Sequence, residues 1–71
     1  MEFNVRKFCE RLKELRKENN LSTTKLGVIL KVSQSTIVRW ENGLILPSIC
    51  HLYKMAKFFD VTADYLIGLE N

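Results

Sequence analysis

The sequence predicts an all-α fold: a compact five-helix bundle with a helix-turn-helix at its centre. Three observations carry that prediction. Apolar residues recur at spacings of three and four in successive stretches of the chain, the period of one helix face. Ser or Thr stands where each stretch after the first begins, as a helix N-cap requires. Only 3 Gly and 1 Pro occur in 71 residues, so the turns are few and short. A chain of this length is one domain, residues 1–71, since a second core needs on the order of 100 residues more. Apolar residues at 46% and charged residues at 27% match an ordinary globular composition and exclude a disordered tail.

Taken in order, Val5, Phe8, Leu12 and Leu15 form the inward stripe of a first helix over 4–18,. Asn19-Asn20 closes it, because Asn tolerates the left-handed conformation that ends helices. Ser22 or Thr23 caps a second helix over 23–30 that turns Leu26, Ile29 and Leu30 inward and places Gly27 where another helix comes close,. Lys31-Val32-Ser33 is a tight turn, and Ser33 caps a third helix over 34–41 that buries Ile37 and part of Trp40,. Gln34, Ser35, Val38 and Arg39 fall on its other faces. Asn42-Gly43 stops it. Ser48 caps a fourth helix with Leu52, Met55, Ala56 and Phe59 inward, and Thr62 caps a short fifth with Leu66 inward.

The uncharged stretch from Leu44 to Tyr53 is about half the roughly 20 residues of a membrane span and is interrupted by Pro47 and His51,. The N-terminus becomes charged at once and lacks the apolar core of a secretory signal, so the expected location is the cytoplasm. Cys9 and Cys50 are too few and too distant for a disulfide framework or a zinc site, and read as reduced, half-buried thiols. Ser33, Ser35, His51 and the two cysteines fit no nucleophile or acid–base motif. The expectation is no enzyme, no metal and no cofactor. Charge is uneven: residues 1–42 hold nine basic and five acidic side chains, and 43–71 hold two and three. A net charge of +3 permits a polyanionic partner without requiring one.

Two short helices joined by a tight turn are the helix-turn-helix, at about 23–41 here, whose second helix enters the DNA major groove. The stretch Leu21-Ser22-Thr23-Thr24-Lys25-Leu26-Gly27-Val28-Ile29-Leu30-Lys31-Val32-Ser33-Gln34-Ser35-Thr36-Ile37-Val38-Arg39-Trp40-Glu41-Asn42-Gly43 resembles the Cro/repressor-type (XRE) family of prokaryotic and phage DNA-binding proteins. The likeness continues through Leu46-Pro47-Ser48, Lys54-Met55-Ala56-Lys57 and Val61-Thr62-Ala63-Asp64-Tyr65-Leu66-Ile67-Gly68.

That resemblance implies a lambda-repressor-like DNA-binding domain, and base-reading positions at Ser33, Gln34, Ser35 and Arg39. The residue types suit the task, since Gln pairs with adenine, Arg with guanine, and Ser with several base edges. It implies phosphate contacts at Thr23, Lys25, Lys31, Thr36 and Asn42, with Asn42 equally readable as a helix stop and Lys25 more readily as a solvated side chain. Arg16 and Glu41 match positions that form a partly buried ion pair. Two departures stand out: Lys31 and Asp60 occupy turns where the family has Gly, and Gly27 stands where Ala is usual. The implied protein is a sequence-specific transcriptional regulator, a repressor bound as a homodimer to a partly palindromic operator. Its partner is double-stranded DNA, with neither membrane nor small-molecule ligand indicated. Tyr53, Phe58, Tyr65 and Ile67 exceed what one small core buries; the resemblance implies that those on helices 4 and 5 form a two-fold dimer contact, with packing at the margin of the core the equal alternative for each aromatic. The competing reading is a protein–protein interaction module on the same scaffold, such as an antirepressor or assembly partner.

Overall fold

The structure, a computed structural model, describes residues 2–70, so Met1 and Asn71 of the expected domain lie outside the described residues. Five helices follow one another: α1 (Val5–Glu18), α2 (Thr23–Leu30), α3 (Gln34–Glu41), α4 (Ile49–Phe59) and α5 (Ala63–Ile67). Among the described residues there is no strand. The all-helical prediction and the bounds of α2 and α3 agree with this, and α1 begins one residue later than expected because Asn4 is its cap.

Each helix starts on a side-chain oxygen that accepts a hydrogen bond from a backbone N–H of its first turn. Asn4 accepts from Arg6 at 3.0 Å, Ser22 from Lys25 at 3.0 Å, Ser33 from Thr36 at 3.1 Å, Ser48 from His51 at 3.2 Å and Thr62 from Tyr65 at 2.9 Å. A cap of this kind stabilises a helix by about 1 kcal/mol. All five helices also end alike, with a residue of positive φ followed by a backbone N–H that reaches back five residues to a carbonyl,. Three of those residues are not glycine: Asn20 at φ 57°, Lys31 at φ 60° and Asp60 at φ 56°. Lys31 therefore keeps the left-handed turn that glycine makes in the family, at the cost of backbone strain.

The core is built from Phe8, Leu12 and Leu15 of α1, Leu26 and Leu30 of α2, Ile37 and Trp40 of α3, Met55 and Phe59 of α4, and Leu66 of α5. Trp40 is fully buried. Leu21, Ile29, Val32, Leu52 and Ala56 pack against this cluster from its margins. Because α1 packs on α3 and α5 while α2 packs on α3, α3 is gripped along one face and free along the other. Gly27 fixes the α2–α3 approach: a Cβ there would stand 2.7 Å from the Val32 carbonyl oxygen. The turn thus lies closer to α2 than the family's usual alanine permits.

Cys9 is half-buried, and its thiol donates to the Trp40 carbonyl at 3.3 Å. Burial pushes its pKa up. Cys50 is exposed, contrary to expectation, because it lies on the flank of α4 away from Met55 and Phe59. Among the described residues, no helix is long and apolar enough to cross a membrane, and no three His, Cys, Asp or Glu side chains cluster as metal ligands.

Candidate nucleic-acid interface

At about 1.5 Å per residue the eight residues of α3 make a rod roughly 12 Å long, close to the width of a B-DNA major groove. Successive side chains step by about 100° around it. Ile37 and Trp40 point into the core, so Gln34, Ser35 and Arg39 are left on the outer arc, where all three are exposed. Arg39 lies in the last turn, where a cation also complements the helix dipole.

The N-terminal end of α3 is organised by hydroxyls. Ser33 Oγ accepts from the Thr36 N–H at 3.1 Å, and it shares hydrogen bonds with Ser35 Oγ at 3.0 Å and Thr36 Oγ1 at 2.8 Å. Ser33 and Thr36 are thus engaged in capping, and any contact they make to DNA uses what that network leaves over. Gln34 Nε2 donates to Thr23 Oγ1 at 3.0 Å, joining the first residue of α3 to the first residue of α2. The Gln34 carbonyl oxygen and its second amide hydrogen remain available, which is the donor–acceptor pair an adenine edge requires.

These contacts gather Thr23, Ser33, Gln34, Ser35 and Thr36 into one patch. Asn42 is exposed at the opposite end of α3, where its N–H donates to the Val38 carbonyl at 3.0 Å. Lys31 is exposed in the turn. Lys25 is exposed too, but it projects about 160° around α2 from Thr23 and so lies off the patch. His51, considered above as a nominal catalytic group, has its Nδ1 2.9 Å from Ser48 Oγ and its ring 5.4 Å from that of Trp40.

The far end of α3 is anchored to α1. Arg16 Nε donates to Glu41 Oε2 at 2.6 Å and Nη2 donates to Oε1 at 3.1 Å, while Nη1 donates to the Leu21 carbonyl at 2.8 Å. The two side chains are 12% and 6% exposed. Such a forked, desolvated pair holds orientation as well as charge. It spans 25 positions in the chain and sets the direction in which α3 points.

Two features were not singled out by the sequence reading. Val38 is half-buried on the outer arc between Gln34 and Arg39, and its helix position already gave that placement without suggesting a role. Leu44, Ile45, Leu46 and Ile49 are exposed beside α3. An apolar run carries no local signal that it will face outward. Of the four residues in excess of the core on α4 and α5, Tyr53 and Phe58 are exposed, whereas Tyr65 and Ile67 are half-buried. The Tyr65 ring lies under the Arg11 guanidinium, 4.3 Å from it.

Residues 12–66 match the family described as Helix-turn-helix (HTH_3). The chain is 40% identical over 70 residues to the HTH-type transcriptional activator BcrR of Enterococcus faecalis, covering 99% of this chain and 32% of that protein. It is 39% identical over 61 residues to the HTH-type transcriptional regulator AnsR of Bacillus subtilis, covering 86% of this chain and 53% of that one. It superposes with a TM-score of 0.83 and 27% identity on the P22 c2 repressor in complex with a synthetic operator, covering 89% and 96% of the two chains. The chain belongs to the XRE/Cro-type helix-turn-helix family. It spans about a third to a half of the length of the two curated relatives.

Proposed function

We propose that this chain is a sequence-specific DNA-binding domain of a transcriptional regulator, with α3 in the major groove. Gln34, Ser35 and Arg39 read bases, assisted by Ser33, while Thr23, Lys31, Thr36 and Asn42 meet the backbone. One observation supports this above the others: the face of α3 not held by the core is polar except for Val38, carries a cation, and has its first residue fixed by Thr23. The kinship supports the same reading, since the P22 c2 repressor is solved with an operator. The relatives named above include both an activator and a repressor. Occupancy of an operator is common to both outcomes, and the position of that operator relative to the promoter decides between them.

The chain binds as a homodimer on a partly palindromic site. Ile49 and Tyr53 lie four residues apart on one face of α4, both exposed, next to exposed Leu44 and Leu46. Phe58 projects about 180° away from Ile49, so the self-contact uses the start of α4 and the segment before it rather than Phe58. On such a site two copies place their α3 helices about 34 Å apart, one DNA turn. The same apolar surface is what a protein-interaction module would use, and that is the competing reading.

Selection of bound duplexes from a random pool separates them. A DNA reader enriches a sequence with two half-sites about 10 base pairs apart, and its affinity falls by about 0.9 log units per log unit of salt for each phosphate neutralised. An unenriched pool and a flat salt profile would instead favour the interaction module.

A further inference from the structure

We infer that Val38 is a base-specificity residue, reading the 5-methyl group of a thymine in the major groove. The inference rests on the placement of α3 in that groove and adds a contact of different chemistry. Stepping about 100° per residue, Val38 projects between Gln34 and Ser35 and lies one turn further along the rod, about 100° from Arg39. It is the sole apolar side chain on an arc otherwise made of Gln34, Ser35 and Arg39. It is half-buried but absent from the core and from the apolar residues packed against it. Its neighbour Ile37 and the following Trp40 already fill the inward side.

The chemistry of the groove then restricts its partner. Base edges there offer hydrogen-bond donors and acceptors, which Val cannot use, and one apolar group, the thymine methyl. Gln34 and Arg39 satisfy polar edges on either side, so a methyl brought against Val38 leaves water without stranding any polar atom. A branched side chain with a single preferred rotamer in a helix presents that surface with little loss of freedom.

The test uses the duplex enriched by selection. Each thymine is replaced in turn by deoxyuridine, which deletes the methyl and leaves the hydrogen-bonding edge intact. Wild-type protein should lose about fourfold in affinity at one thymine per half-site, the factor expected for burying one methyl-sized group. Val38→Ala should bind the unmodified duplex more weakly and show no further loss at that thymine. Val38→Thr, which keeps one methyl and nearly the same shape, should retain part of the discrimination. Melting curves of both variants check that they are folded at the assay temperature, and Gln34→Ala should keep the methyl effect while losing affinity elsewhere.

Equal binding to every thymine and deoxyuridine duplex would overturn the inference. So would a Val38→Ala protein that melts lower yet keeps the full methyl effect, since Val38 would then be packing only. If no duplex is enriched, both this inference and the groove placement fall; if one is enriched without methyl dependence, only this inference does.

Discussion

Gln34 and Thr23, eleven positions apart in the chain, are joined by a hydrogen bond from the Gln34 amide to the Thr23 hydroxyl at 3.0 Å. The link presets the orientation of a flexible side chain before any ligand arrives. Removing the hydroxyl with Thr23→Val should lower affinity for a selected duplex by roughly fivefold, the equivalent of about 1 kcal/mol for one neutral hydrogen bond. The loss should concentrate at the base that Gln34 reads, and Thr23→Ser should largely restore it. Titration of both variants against single-base variants of the duplex measures this.

Arg16 and Glu41 hold α3 at its other end. Removing one partner of a buried pair leaves an uncompensated charge and typically costs about 3–5 kcal/mol. Glu41→Ala should therefore melt at least 10 °C lower, given the roughly 4–8 °C per kcal/mol expected for a domain of this size. An unchanged melting temperature would mean that the pair contributes nothing. Below its transition the variant should still prefer the selected duplex, because Glu41 faces Arg16 rather than solvent.

Gly27→Ala tests the close approach of α2 to the turn. Alanine is the better helix former by about 1 kcal/mol, so propensity alone predicts a more stable protein. The new Cβ would stand 2.7 Å from a backbone oxygen, and backbone cannot swing aside as a side chain can. Overpacking of this kind costs about 1–3 kcal/mol. Thermal denaturation should show a net loss.

Lys31 offers the opposite case. Its φ of 60° costs a non-glycine residue about 1–2 kcal/mol, partly offset because glycine has more freedom to lose on folding. Lys31→Gly should raise stability by up to about 1 kcal/mol. If Lys31 also meets a phosphate, the same variant should reduce the slope of log affinity against log salt by about 0.9. Melting and salt titration of one protein thus report strain and charge separately.

Much of this was legible in the sequence because it is local chemistry. Ser22, Ser33, Ser48 and Thr62 cap helices through hydrogen bonds three residues away, and the period of Phe8, Leu12 and Leu15 selects a face wherever the helix goes. The left-handed turn at Lys31 was legible only through the resemblance, because Lys31 stands where the family has Gly. The Thr23–Gln34 bond was not visible, since it depends on the angle between two helices. Gly27 was legible as a site of close approach, but that the near neighbour is the Val32 carbonyl was not, since only the folded turn brings it there. The outward-facing Leu44–Leu46 segment and the exposed Cys50 were missed because hydrophobicity states a preference for burial and not whether room remains.

The central claim is that the outer face of α3 reads DNA sequence, and Gln34 and Arg39 test it most directly. Equilibrium binding of Gln34→Ala and Arg39→Ala should be compared with wild type on a selected duplex and on a scrambled one. Each variant should lose about 5- to 150-fold on the selected duplex, corresponding to about 1–3 kcal/mol per base-reading pair, with far smaller changes on the scrambled one. Folded variants that bind the selected duplex as tightly as wild type would contradict the claim.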